Sequence, residues 1–195
     1  MSSFDIAARV FKSLANAVFD QGGFDEDVRR IETDEKLCTE IAKLVVGNDK
    51  NTETNHVIDL DADPFVPNGW SVEEHKKGGE FKWDPKKIQL HLSENQKGDK
   101  YVGGNKLRRE LVSLPTLNAN VLDYLLKHPE LSPEDWKRDE KGNTRYIFFW
   151  GTIYRHSGGD LYVRYLCWDR GEWRWRCGWL DGGWYRDSPA AVSAS

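Results

Sequence analysis

Trp173, Trp175 and Trp179 stand at alternate positions in the stretch Trp173-Arg174-Trp175-Arg176-Cys177-Gly178-Trp179. That spacing narrows what the chain can fold into. Successive side chains of an extended strand point to opposite faces, so Trp173, Trp175, Cys177 and Trp179 fall on one side and Arg174, Arg176 and Gly178 on the other. The pattern predicts a strand with a tryptophan core face and an offered face. Each buried aromatic removes ~150–250 Å² from water, so three indoles anchor such a strand firmly. Substitutions on its exposed side then shift stability by only about 0.5 kcal/mol.

The residues around these tryptophans come from a restricted alphabet. Five of the nine tryptophans, Trp168, Trp173, Trp175, Trp179 and Trp184, lie between Tyr165 and Ser188. Apart from them and Glu172, the window contains only Tyr, Leu, Cys, Asp, Arg, Gly and Ser, all of which can be encoded by codons ending in a pyrimidine. Lys, Gln and Met are missing. Residues 1–141 hold 15 Lys and 6 Arg, whereas residues 142–195 hold 7 Arg and no Lys. Arg is favoured over Lys where planar, stacked or bidentate contacts matter, so a recognition surface or an Arg-capped tryptophan core is one account. The other is a writing process that can produce Arg codons but not Lys codons.

At 195 residues the chain is long enough for one domain with an accessory segment, or for two small domains. The net charge of −4 is unevenly divided: 21 cations oppose 27 anions in residues 1–141, and 7 oppose 5 in residues 142–195. Three cysteines, Cys38, Cys167 and Cys177, give neither a disulfide framework nor a zinc pattern. No apolar run has membrane-spanning length, and the N-terminus lacks a signal peptide's basic and apolar regions. These features predict a cytoplasmic or particle-associated protein.

Phe4, Ala7, Ala8, Phe11, Leu14, Ala15, Val18 and Phe19 recur at helical spacing and stop at Gly22-Gly23, a left-handed cap signal. Leu37, Ile41, Leu44 and Val45 repeat the pattern after the cap candidate Thr33, ending at Gly47-Asn48, and a polar linker follows. Val57 to Ala62 and Ile88 to Leu92 read as strands. Asn105 and Asn118 are candidate caps for two helices, the second stopped by Pro129, and Ser132-Pro133-Glu134 opens a helical turn. Strands are expected over Ile147–Arg155, Leu161–Trp168, Trp173–Leu180 and Ala190–Ser193, with turns at His156–Asp160, Asp169–Glu172 and Asp181–Gly183.

The tryptophan frame with its restricted inserts resembles the variable proteins of diversity-generating retroelements. In that family a reverse transcriptase misreads template adenines, so AAC and AAT codons become any codon ending in a pyrimidine. The tryptophan codon TGG has no adenine and is left intact, and Glu172 would be a constant position. The resemblance covers about residues 57–195 and implies an α+β fold: a C-type lectin-like domain of two helices plus an antiparallel β-meander with a returning C-terminal strand. An N-terminal helical segment, residues 1–50, precedes this domain at 56–195, and the variable region spans about 164–188. Phe149-Trp150-Gly151-Thr152-Ile153-Tyr154-Arg155 and Pro189-Ala190-Ala191-Val192 also resemble the ends of uncharacterised proteins from uncultivated microbes.

The resemblance implies a non-enzymatic binding protein. Its contact residues would be Tyr165, Cys167, Arg170, Arg174, Arg176, Cys177, Gly178, Gly182, Gly183, Tyr185, Arg186, Asp187 and Ser188, on a scaffold of Trp168, Trp173, Trp175, Trp179 and Trp184. The expected partner is a protein or cell-surface ligand, and oligomerisation could run through the N-terminal helices. The alternative is a single-stranded nucleic-acid-binding domain, with Trp and Tyr stacking on bases and Arg on phosphates. Lys is an ordinary phosphate partner, however, and a local surplus of two cations is small for that task.

No catalytic constellation, cofactor motif or metal site is read. Asp59, Asp61 and Asp63 form an Asp-x-Asp-x-Asp run, but Pro64 and Trp70 stand where an EF-hand loop needs Gly and Glu. A phosphatase on the same run would require a doubly wound α/β domain. Trp168-Asp169-Arg170 departs from the Trp-Asn-Asp motif of calcium-dependent lectins. The five histidines are scattered, and Cys167 and Cys177 are expected as free thiols rather than a cross-strand bridge.

Overall fold

The computed structural model describes residues 11–13, 15, 16, 18–20, 22–37, 39, 56–98 and 100–194. The chain divides into two compact units, residues 1–54 and 55–195.

In the first unit the described residues between 11 and 20 are helical. The helix closes as expected at Gly22, whose φ of 81° is the left-handed conformation glycine adopts without a Cβ clash. The N–H groups of Gly22 and Gly23 donate to the Phe19 and Val18 carbonyls, both at 2.9 Å. A second helix, Asp25–Thr33, was not visible in the apolar pattern. Asp25, Glu26 and Asp27 crowd its first turn, where carboxylates favour the positive end of the helix dipole. The expected cap at Thr33 is corrected to Asp34, whose Oδ1 accepts from the Lys36 and Leu37 N–H groups at 3.1 and 3.0 Å. Thr33 is still helical and its hydroxyl donates back to the Arg29 carbonyl. Phe4, Ala7, Ala8, Leu14, Cys38, Ile41, Leu44, Val45 and the Gly47-Asn48 stop lie outside the described residues.

The second unit is α+β. Its elements are β1 (Val57–Asp59), β2 (Trp70–His75), β3 (Glu80–Lys82), β4 (Ile88–His91), β5 (Val102–Gly103), helix α1 (Gly104–Leu111), helix α2 (Ala119–Lys127), β6 (Ile147–His156), β7 (Leu161–Asp169), β8 (Glu172–Trp179), β9 (Gly183–Trp184) and β10 (Ala190–Ser193). The main sheet runs β4-β10-β6-β7-β8, with β2 also pairing β6; β1 pairs β3 and β5 pairs β9. The C-terminal strand therefore returns to the middle of the sheet, antiparallel to β4 and parallel to β6.

Alternation through β6 explains why both faces of the sheet are covered. Ile147 and Phe149 pack on one side with Leu166, Trp173 and α2, while Phe148 and Trp150 pack on the other with Val163, Leu180, Trp184 and α1. Val121, Leu122 and Leu125 of α2 are fully buried, and each such side chain contributes ~1.5–3 kcal/mol by leaving water. Asn118 caps α2 as expected, accepting from the Asn120 N–H at 3.1 Å. Its amide also donates to the carbonyls of Leu60 and Lys76, tying the helix to two loops.

Several expectations need correction. Asn105 does not cap α1: the N-cap is Gly103, and the Asn105 amide reaches Asp181 at 2.5 Å. The expected strand to Ala62 ends at Asp59, because the Asp59 carboxylate accepts from the Asp61 N–H and turns the chain. The turn after Ser132 is a short 3₁₀ segment, Glu134–Trp136, with Pro133 rather than Ser132 at its cap position. Strands β2, β3, β5 and β9 were not read from the sequence. Among the described residues no helix is long and apolar enough to cross a membrane.

Candidate binding face

Strands β7 and β8 form a regular hairpin in which Tyr165 faces Arg176, Cys167 faces Arg174 and Asp169 faces Glu172. The two connecting residues, Arg170 and Gly171, have φ of 53° and 86°. Positive φ at both positions suits the right-handed twist of the flanking strands. Arg170 is the one non-glycine residue with positive φ among the described residues.

A cleft of about 260 Å³ opens on this hairpin. Tyr146, Tyr165 and Trp168 form its aromatic walls, with Thr144, Asp169 and Arg176 supplying polar groups and Cys167 also lining it. Tyr146 and Tyr165 meet edge to face at 5.4 Å, and Tyr165 leans on Phe148 at 4.7 Å. Burial pushes the Tyr165 hydroxyl up to about 12, so it remains a neutral donor at ordinary pH. Arg176 is exposed and pairs with Asp169 at 3.0 Å, a bond that raises its already high pKa. Arg174 pairs with Glu172. Lys137 sits 3.8 Å from the Trp168 ring centroid, placing a cation over the indole face.

The loop after β9 forms a neighbouring part of the surface. Tyr185 is 51% exposed and lies 5.6 Å from Tyr101, which is 63% exposed. Arg186 is partly covered and bonds to Asp139 at 3.1 Å. Asp139 is held below the usual carboxylate range, first by the Asn143 side chain and then by the Asn143 and Lys141 N–H groups and the Arg186 charge. Asp187 and Ser188 are partly buried; the Ser188 hydroxyl donates to Asp187, and the Asp187 carbonyl accepts from the Tyr146 N–H at 2.8 Å.

The expected contact residues therefore separate into groups. Tyr165, Arg170, Arg174, Arg176, Tyr185 and Arg186 each present at least part of their side chains to solvent. Cys167 is 2% exposed and lies under the cleft. Cys177 pairs with Arg164 on the same face of the sheet, the one opposite to Cys167, and burial pushes its thiol up to about 11. Both cysteines are free. Gly178 is not on an offered surface: a Cβ there would sit 2.7 Å from Phe148 Cε1 and 3.0 Å from Trp184 Cη2. Helix α1 and β9 cover this side of the sheet, so the glycine admits the aromatic cluster. Gly182 and Gly183 shape the turn into β9, where a Cβ would come within 3.1 Å of the Trp179 carbonyl and of Tyr101, respectively.

The tryptophans divide too. Trp173 and Trp184 are buried, while Trp168 and Trp175 pack partly covered against the α2 core. Trp179 departs from the expected scaffold and is 49% exposed. It is the last residue of the edge strand, opposite Tyr162, beyond the packed core.

Arg164, at the edge of the variable region, is not among the expected contact residues. It is 1% exposed and bonds Asp123 through both terminal nitrogens at 3.0 and 2.6 Å. Its guanidinium lies 4.3 Å from the Trp175 ring and 5.1 Å from Phe65. Burial acts to lower its pKa, but the bonds to Asp123 reverse that and raise it. Its register with the apolar Leu166, two residues on and on the same face of β7, was a usable signal, because an Arg on an inward face needs a buried acid nearby.

No known family model, curated protein or solved structure matches the chain. The other constellations serve the fold. Asp61 accepts from the Gly78 and Gly79 N–H groups, bonds that lower its pKa, the Gly79 one most. His75 bonds Thr152 at 2.8 Å and the Leu60 carbonyl at 3.0 Å, and His56 bonds Tyr124 at 2.9 Å. Among the described residues no group of His, Cys, Asp and Glu could hold a metal ion.

Proposed function

We propose that this chain is a non-enzymatic binding protein whose C-type lectin-like second unit displays an interchangeable contact surface, diversified by a retroelement. The observation that carries the reading is the division of the restricted-alphabet window. Trp173 and Trp184 are buried, while Tyr165, Arg174, Arg176 and Tyr185 around them reach solvent from the β7–β8 hairpin and the following loop. A surface so arranged can exchange side chains with little cost to the fold. The order of strand β4, two helices, the β6–β8 meander and a strand returning beside β4 supports the lectin-like assignment.

The contact set on this reading is Tyr165, Arg170, Arg174, Arg176, Tyr185 and Arg186. Tyr and Arg are the residue types that dominate interface hot spots, and the tryptophan frame holds the hairpin in shape before binding. The charge pattern favours a protein or cell-surface partner over a nucleic acid. Arg174, Arg176 and Arg186 already pair with Glu172, Asp169 and Asp139, so the face offers no unbroken line of cations to follow a phosphate backbone.

Sequencing the 3′ end of the gene and its downstream flank across the source population tests the proposal. Substitutions concentrated between the tryptophan codons, with a near-repeat carrying adenines at those places, are expected. An invariant window without a repeat overturns the retroelement reading. Salt-dependent retention of an unstructured oligonucleotide would instead favour the nucleic-acid alternative.

A further inference from the structure

Gln96 is almost wholly enclosed, with 1% exposure, and among the described residues its carboxamide bonds go to main-chain atoms. Its Nε2 donates to the Tyr185 carbonyl at 3.0 Å and to the Ser188 carbonyl at 3.1 Å. Its Oε1 accepts from the Ser93 N–H at 3.1 Å. The short turn bearing it is fixed in turn to α1, since the Ser93 hydroxyl donates to Glu110 at 2.5 Å and the Asn95 amide donates to the same carboxylate at 3.4 Å. Across the loop, the Ser188 N–H donates to the Tyr185 carbonyl at 3.0 Å, and the Tyr146 N–H donates to the Asp187 carbonyl at 2.8 Å.

We infer that Gln96 is the positioning residue for the contact loop at residues 185–188, holding its backbone in one shape whatever side chains the loop carries. The inference rests on the binding reading, which makes these side chains interchangeable. An amide is suited to this task because it has two donor hydrogens for two carbonyls and one acceptor for the N–H behind it. On leaving the clamp the Ser188 carbonyl loses the Gln96 donor and the Tyr185 carbonyl keeps only the Ser188 N–H; a partly covered carbonyl deprived of its donor is costly, while a changed side chain at 185 or 186 costs the loop little. Gln96 is outside the restricted-alphabet window, and a Gln codon is unreachable by the proposed writing process. The part that sets the shape would thus be shielded from the process that varies the surface.

The test is amide hydrogen exchange of the folded chain, read residue by residue by NMR at Ser188 and Tyr146, with β6 and β7 amides as internal reference. Gln96→Glu keeps the side-chain shape but turns a carboxylate oxygen toward the two carbonyls. It is expected to speed exchange at Ser188 and Tyr146 about tenfold or more while the reference amides hold. Gln96→Leu, which removes the donors without adding charge, should do the same if the Glu variant does not fold. A quadruple variant, Tyr185→Ala, Arg186→Ala, Asp187→Ala and Ser188→Ala, should leave both amides within about twofold of the parent. Unchanged exchange in the Gln96 variants, or equal loosening by the quadruple variant, overturns the inference. The readout involves neither ligand nor gene diversity, so its failure leaves the binding proposal standing, and an invariant gene leaves the clamp standing.

Discussion

Replacing Gly178 with alanine separates a packing position from a contact position within the same window. The new methyl would lie 2.7 Å from Phe148 Cε1, 3.0 Å from Phe148 Cζ and 3.0 Å from Trp184 Cη2. Neither ring can easily withdraw: Phe148 is 4% and Trp184 3% exposed, and their centroids are 4.3 Å apart, with Trp150 4.7 Å beyond. Gly178 does not have positive φ, so the backbone accepts alanine and steric crowding is the main cost. Overpacking a filled core costs ~1–3 kcal/mol, and the better strand propensity of alanine returns ~0.5–1 kcal/mol. Taken at the middle of both ranges, the net loss is about 1 kcal/mol, which for a unit of this size lowers Tm by ~3–5 °C. Gly158→Ala is the matched control, since its nearest neighbour would be His156 Nδ1 at an ordinary 3.4 Å. Thermal unfolding followed by tryptophan fluorescence measures both. A Gly178→Ala variant melting within 1 °C of the parent would refute the packing argument, as would a cost unchanged when Phe148→Leu makes room.

Asp123→Ala leaves the Arg164 guanidinium buried without its acid, and breaking such a pair costs ~3–5 kcal/mol. Because the Asp123 side chain keeps 23% exposure, the low end of that range is expected in urea unfolding. Cys167 and Cys177 should react with a thiol reagent at pH 8 much more slowly in the folded chain than in denaturant, burial being the main cause of both raised thiol pKa values. Cys177 titrates near 11 when folded against an ordinary 9.0, so the folded state holds the proton more tightly. Its contribution to stability is complete below about pH 9 and fades as pH rises toward 11, and a Cys177→Ser variant should lose that part of the alkaline slope.

The meander and the returning strand were legible because their signals are local. Ile147–Arg155 and Leu161–Trp168 are rich in β-branched and aromatic residues and bounded by turn residues, and the short Ala190–Ser193 follows directly on Pro189. Strand β2 was not legible, since Trp70-Ser71-Val72-Glu73-Glu74-His75 carries one aliphatic residue and its four middle side chains are exposed. Its place depends on pairing with the distant β6. The alternation of β8 located Arg174 and Arg176 opposite Trp173 and Trp175, but it could not tell that α1 and β9 cover part of the supposed outer face. Gly178 was misplaced for that reason. The capping-box spacing Ser93-x-x-Gln96 is a local signal for the turn but not for the loop it holds, because the Tyr185 and Ser188 carbonyls lie some ninety residues away.

Arg170 connects the geometry of the hairpin to how such a surface would be written. An L-residue with a bulky side chain held at positive φ is strained by ~1–2 kcal/mol, and asparagine is among the few non-glycine residues that enter that region readily. On the proposed reading, asparagine is what the unmutated template codon encodes. The hairpin would begin in its most relaxed form, and most replacements at its tip would draw on the reserve held by the tryptophan core. Arg170→Asn should therefore stabilise the chain, and the tip of the loop should tolerate fewer simultaneous changes as that core is weakened.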